Sequence, residues 1–237
     1  MQITFPKSKT FFSDLILQRT NAFIQCGGGD ILKKWIDGEK KVHLIDYLLD
    51  NNQYENFMKI TIKSYLEEIE EFKNIINNEE INNLVSIGPG NGVFETLLLQ
   101  KIKFKKILMI DSEETKSQNH GFNKLGSGYA NLINTKKFMI DNSIPEKSII
   151  ICNPKKQKLP RFKFNLLISF FSMGFHYPCD EYVDFIIKNG SFKSNIIYDK
   201  RRNVYDEGHD VLQKQFLCFR KISNIKHDRI FMEKIIK

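Results

Sequence analysis

Cysteine, arginine and long apolar runs are all scarce in this chain of 237 residues, and each scarcity removes a class of protein. The four cysteines, Cys26, Cys152, Cys179 and Cys218, stand far apart with no Cys-x-x-Cys pair. Neither a zinc site nor a disulfide framework is encoded, and no metal centre is expected. Cys152 and Cys218 fall in apolar, strand-like runs and read as buried thiols of a reducing compartment, so the cytoplasm is the expected location. The formal charge is +8, but the cations are mostly lysine, with arginine only at positions 19, 161, 201, 202, 220 and 229. Readout of phosphates and bases leans on arginine. The charge therefore reads as a lysine-rich background that favours an anionic substrate, with nucleic acid a weaker reading. The longest apolar stretch, Phe164 to Phe175, is too short to span a bilayer, and Met1 to Leu15 contain no apolar signal core. With 41% hydrophobic residues the chain can fill one α/β domain with an appendage.

What is present centres on residues 84–99, LVSIGPGNGVFETLLL. An apolar run (Leu84, Val85, Ile87) meets Gly88-Pro89-Gly90-Asn91-Gly92, and an apolar-periodic segment follows with Val93, Phe94, Leu97 and Leu98. Strand, glycine turn and helix in that order open a doubly wound nucleotide-binding fold. Glycine lets the backbone bend tightly and approach a ligand, and the helix N-terminus behind it presents N–H groups. About nineteen residues beyond Gly92, the run Ile107 to Ile110 ends in Asp111, where a carboxylate can accept from a ribose diol. A dinucleotide fingerprint needs glycine at position 93, which is Val93, so NAD is not indicated.

The G-x-G-x-G spacing resembles the first motif of class I S-adenosylmethionine (SAM) dependent methyltransferases. That resemblance implies a Rossmann-like α/β fold with a seven-stranded, mostly parallel sheet and a terminal antiparallel strand, and SAM as cofactor. Gly88, Gly90, Asn91, Gly92 and Ser112 would face the cofactor, with Asp111 at its ribose hydroxyls. Asn153, ending the third strand, takes the place of the family's polar contact to the adenine amino group, and Ser169 completes the cofactor set. The chain departs from the pattern at Ser86, where many members carry Glu or Asp.

The remaining chain is read around that centre. Residues 1–80 form a helical extension, a lid or substrate wall, and residues 81–237 the SAM-binding domain. Within the extension, Phe11 to Phe23 reads as one helix, Gln25 to Asp30 as a loop, and Ile31 to Trp35 and Val42 to Leu49 as helical. Tyr54 to Asn77 is the longest helix, with Glu67, Glu68, Glu70 and Glu71 a solvated face. Glu113 to Leu132 is the second crossover helix. Phe164 to Phe171, FNLLISFF, is a central strand buried on both faces. After it comes Ser172-Met173-Gly174-Phe175-His176-Tyr177-Pro178, at the strand ends where ligands of open α/β sheets bind. His176 is the candidate general base, because neutral imidazole can take a hydroxyl proton near pH 7. Tyr177 and Ser172 would hold the acceptor. A fifth strand, Ser194 to Tyr198, brings Asp199 (a catalytic candidate) and Arg201 (a phosphate-binding candidate) to the same edge, the alternative being a surface ion pair. A short helix, Tyr205 to Gln213, carries His209 as an exposed residue. Phe216 to Lys221 and Arg229 to Ile235 would form an antiparallel pair joined by Ser223 to Asp228.

The loop Ser-x-Gly-Phe-His-Tyr-Pro, with Tyr182 just beyond it, resembles bacterial sugar O-methyltransferases of surface polysaccharide pathways. This implies methyl transfer to a sugar hydroxyl on a small-molecule or glycan acceptor, nucleotide-linked sugars included. Two readings stand beside it. The glycine turn also resembles ribosomal RNA adenine dimethyltransferases, although the loop after the fourth strand lacks their Asn-Leu/Pro-Pro-Tyr. A non-catalytic interaction module on the same fold is the reading that Ser86 leaves open.

Overall fold

The structure is a computed structural model that describes residues 3–39, 43–76, 81–113, 118, 128, 131–216, 218–223 and 227–234. Among the described residues five helices precede the first strand: α1 (Lys9–Gln18), α2 (Thr20–Gln25), α3 (Gly29–Ile36), α4 (Leu44–Asp50) and α5 (Tyr54–Ile75). The Ser8 hydroxyl caps α1 by accepting from the Phe11 N–H at 3.3 Å. The single helix expected over Phe11 to Phe23 is broken at Arg19, whose φ of −127° and ψ of 48° are not helical. Arg19 gives up helical geometry where its side chain turns to Glu68 on α5. The glycine loop is also shorter than expected, since α3 already begins at Gly29.

The sheet strands are β1 (Asn83–Ile87), β2 (Lys106–Ile110), β3 (Ile149–Cys152), β4 (Phe164–Ser169), β5 (Gly190–Arg201), β6 (Cys218–Ser223) and β7 (His227–Lys234). Their spatial order is β3-β2-β1-β4-β5-β7-β6. The first five run parallel, and β7 lies antiparallel between β5 and β6. Between the strands run α6 (Val93–Leu99), α7 (Leu132–Asp141), α8 (Asp180–Asn189) and α9 (Glu207–Gln215). The crossover helix expected over Glu113 to Leu132 falls largely outside the described residues, and the described helix starts at Leu132, capped by the Asn131 side chain. β5 is longer than Ser194 to Tyr198, and His227 and Asp228 belong to β7 rather than to the connecting turn.

Alternation along each strand sorts side chains to two covered faces. Leu84, Ile107, Met109, Leu166, Ile168 and Ile197 join one cluster with α6, α7 and the five N-terminal helices. Val85, Ile87, Leu108, Ile110, Leu167, Ile196 and Tyr198 join the other with α8 and α9. Burial on both faces explains the near-continuous hydrophobicity of these strands. No helix among the described residues is long and apolar enough to cross a membrane.

Candidate functional site

β1 neighbours β2 on one side and β4 on the other, so the chain order reverses at β1. In open α/β sheets the crevice at the carboxyl ends of such strands is where ligands sit. The glycine turn lies there. Gly88, Gly90 and Gly92 have φ of +71°, +58° and +76°, a left-handed backbone that side-chain-bearing residues rarely adopt. The turn is tied down by Gly88 N–H donating to Ile110 C=O (2.8 Å) and by the Thr135 hydroxyl of α7 donating to Gly90 C=O (2.7 Å).

Two elements close over it. A Cβ placed on Gly90 would stand 2.7 Å from Gln18 Nε2, and one on Gly88 would stand 2.3 Å from Ser172 Cβ. The end of α1 therefore covers the second glycine, and the loop carrying His176 touches the first. Around this turn lie buried polar atoms with no hydrogen-bond partner among the described residues: Gln18 Nε2, both amide atoms of Asn91, and Glu95 Oε2. Buried amide and carboxyl atoms are normally satisfied. Their concentration here fits a polar ligand of mixed charge, such as the amino-acid end of SAM.

At the end of β2, Asp111 Oδ1 accepts from Glu113 N–H at 2.9 Å, which fixes the carboxylate at the strand edge. Asn153 donates to Ser112 C=O (2.8 Å) and to Glu113 Oε2 (3.1 Å), and its amide oxygen accepts from Lys155 N–H (2.9 Å). The side-chain carbonyl expected to meet an adenine amino group is thus already closing an Asn-Pro turn, with one lone pair remaining. Ser169 is equally committed: its hydroxyl donates to Ile87 C=O (3.0 Å) and accepts from Met173 N–H (2.9 Å), holding β4 and its loop against β1.

The loop after β4 is compact. Ser172 C=O accepts from the N–H groups of Phe175, His176 and Tyr177, and Gly174 N–H donates to Tyr177 C=O at 2.7 Å. Phe171 is held at φ +55° and half-exposed, and the Phe175 ring meets both Phe171 and His176 edge-on at about 5 Å. His176 and Tyr177 are half-buried beside these rings. Arg201 is joined to the same loop through its N–H to Gly174 C=O (2.9 Å).

Asp199 requires a correction. It is fully buried rather than open to an acceptor, and the Arg229 guanidinium grips it through Nε to Oδ1 (2.8 Å) and Nη2 to Oδ2 (3.1 Å). His227 Nε2 stands 3.5 Å from the same carboxylate. Arg229 also pairs with Glu68 at 2.9 Å, and Glu68 pairs with Arg19 at 2.7 Å. Glu68 is accordingly no part of a solvated face, although Glu67 is. Burial alone would raise the Glu68 carboxyl, but the two arginines outweigh it and hold it below the usual range. Arg19 lies flat on Tyr65 at 3.6 Å and Arg229 over Phe170 at 4.4 Å, so the network is roofed by rings. His209, expected at the surface, is buried against the Tyr198 hydroxyl.

Sequence reading passed over three acids near the turn. Glu113 bridges Leu132 N–H, Asn153 and Lys156, and its left-handed φ of +50° was invisible in the sequence. Asp14 of α1, joined to the Gln118 side chain, is pushed by burial up to about 7. Glu95, in the first turn of α6, accepts from Ser86 Oγ at 2.6 Å. Two grooves lie elsewhere, one of about 950 Å³ along α5 and one of about 530 Å³ at the amino edge of the sheet. Neither borders the glycine turn.

No protein-family model matches the sequence, and no curated protein matches it at a significant level. Solved structures do match. The O-methyltransferase segment of StiE (residues 961–1257) superposes with a TM-score of 0.55 at 11% identity, covering 80% of each chain. A Nostoc punctiforme protein assigned as an O-methyltransferase gives 0.52 at 10% identity, over 76% of this chain and 59% of that one. The T. thermophilus 16S rRNA N2 G1207 methyltransferase, solved with AdoMet and guanosine, gives 0.50 at 9% identity, over 72% of this chain and 42% of that one. Likeness at this identity shows the fold alone: it is the α/β fold of these solved methyltransferases.

Proposed function

We propose that the protein is a SAM-dependent O-methyltransferase acting on a sugar hydroxyl. The observation that carries this reading is the contact of Gly88 with Ser172, which brings the glycine turn and the His176 loop to one place at the carboxyl edge of the sheet. SAM, when bound, would supply an electrophilic sulfonium methyl, whose carbon an acceptor oxygen would attack in line, the C–O bond forming as the C–S bond breaks and the thioether leaves as S-adenosylhomocysteine. The chain's own tasks are then to position the two reactants and to take up a proton. Gly88, Gly90 and Gly92 let the backbone approach the cofactor, and Asp111, oriented by Glu113 N–H, accepts from its ribose hydroxyls. Ser112, Asn153 and Ser169 shape the cofactor side through their fixed backbone partners. His176 takes the acceptor proton, with Tyr177, Ser172 and Arg201 lining the acceptor side. The rings of Phe171 and Phe175 beside His176 support a small ring-shaped acceptor. The N-terminal helices act as lid, since α1 lays Gln18 on Gly90.

The test is thermal stability with SAM, S-adenosylhomocysteine and NAD, on the wild type and on Asp111→Ala. A ligand at a hundredfold excess over its dissociation constant adds about 2.7 kcal/mol. A rise with SAM or its product that Asp111→Ala loses is the expected result. No rise, or a rise with NAD alone, refutes the reading. Steeply salt-dependent RNA binding with no turnover of nucleotide sugars would move the acceptor to RNA.

A further inference from the structure

Glu95 is buried in a way that the fold itself does not explain. It is 4% exposed and sits three residues past Gly92. One carboxyl oxygen accepts from Ser86 Oγ, and the other is buried with no hydrogen-bond partner among the described residues. An ionised carboxylate so placed is costly unless a proton or a cation neutralises it. The charged and titratable groups around it are already engaged. From the α1–α2 junction, Arg19 gives its hydrogen bonds to Glu68 and Ser64. From α5, Tyr65 lies under Arg19, and Glu68 is held between Arg19 and Arg229. Burial accordingly pushes Glu95 up to about 7, with Glu68 adding to the rise and Ser86 and Arg19 opposing it. At the glycine turn that leads into α6, Gln18 over Gly90 and Asn91 also carry buried polar atoms with no hydrogen-bond partner among the described residues.

We infer that Glu95 is the anion that receives the ammonium group of SAM, with the Ser86 hydroxyl fixing the carboxyl in position. This rests on the SAM-binding reading above. The ammonium takes over the neutralising role of the proton, so binding drives a proton from Glu95 into solvent. At pH 6 a carboxyl near 7 is about nine-tenths protonated. The α-amino group of SAM, with an ordinary pKa of about 8, is fully charged there and contributes none.

The experiment is titration calorimetry at pH 6 in two buffers of different ionisation enthalpy, with SAM and with 5′-methylthioadenosine, which lacks the amino-acid end. The wild type should release close to one proton per SAM and none with methylthioadenosine. Glu95→Gln should bind SAM about 10- to 100-fold more weakly and release no proton. Tight SAM binding without proton release, or equal release with both ligands, overturns the inference. The wild-type comparison decides the matter even where Glu95→Gln does not fold. Failure of the wild type to bind SAM at all refutes the functional reading instead, and the inference with it.

Discussion

Removing the Arg229 guanidinium should cost far more than the loss of an ordinary ion pair. In Arg229→Leu, Asp199 keeps its fully buried position but loses both of its hydrogen bonds to the guanidinium, and Glu68 loses one of its two arginines. Breaking a buried pair from one side costs about 3–5 kcal/mol, because the other charge is left uncompensated. For a chain of this size each kcal/mol moves Tm by roughly 2–4 °C, so the variant should melt about 6–20 °C lower. Adding Asp199→Leu should recover a large part of the loss, since two apolar side chains replace a desolvated pair. Urea unfolding can be followed by circular dichroism and by the fluorescence of Trp35, which is buried in the helical layer. The pH dependence has a definite sign. Glu68 is held below its ordinary 4.5, so its contribution is present above about 4.5 and disappears as pH falls through its folded value. His227 is lowered from 6.5 by burial, so protonation of the unfolded chain below 6.5 also works against folding. Wild-type stability should fall on the acid side, and the Glu68 part of that fall should flatten in Arg229→Leu. A single-variant loss below about 1 kcal/mol, the value of an exposed pair, would refute the reasoning.

Two further outcomes concern the acceptor side. Changing His176 to Gln should lower turnover by about 10²–10⁴ while leaving the calorimetric affinity for SAM unchanged; a parallel loss of SAM affinity would place His176 in the cofactor site. Gly174 stands at φ +80°, and a Cβ there would meet the Tyr198 ring at 2.9 Å, so Gly174→Ala should displace the loop, abolishing turnover with SAM binding retained. Turnover within twofold of wild type would show that the loop does not position the reaction.

What was legible in the sequence was local. The glycine turn, Asp111 at the end of the neighbouring strand and the Ser172 to Pro178 loop are short patterns whose spacing is imposed by adjacent strands. The charged network was not legible, because its parts come from the α1–α2 junction, α5, β5 and β7 and meet only in space. Glu68 stands in a run of four acids whose periodicity suits a solvated face, and only the approach of Arg19 and Arg229 separates it from Glu67. Asp199 was expected at the active edge because β5 ends nearby, but pleating turns its side chain toward Arg229. Ser86 was read as a missing acid. A carboxyl, that of Glu95, stands on α6 nine residues further on and accepts from Ser86 across the strand–helix junction.

The bond between Glu68 and Arg229 spans 161 residues of sequence. At a synthesis rate of about 5–20 residues per second, roughly 10–30 s separate the appearance of the two partners on the ribosome. During that interval Glu68 has Arg19 as its arginine, and the Arg229–Asp199 pair that completes the network has yet to form. Glu68 on the early helices therefore gains its second arginine only when β7 joins the sheet.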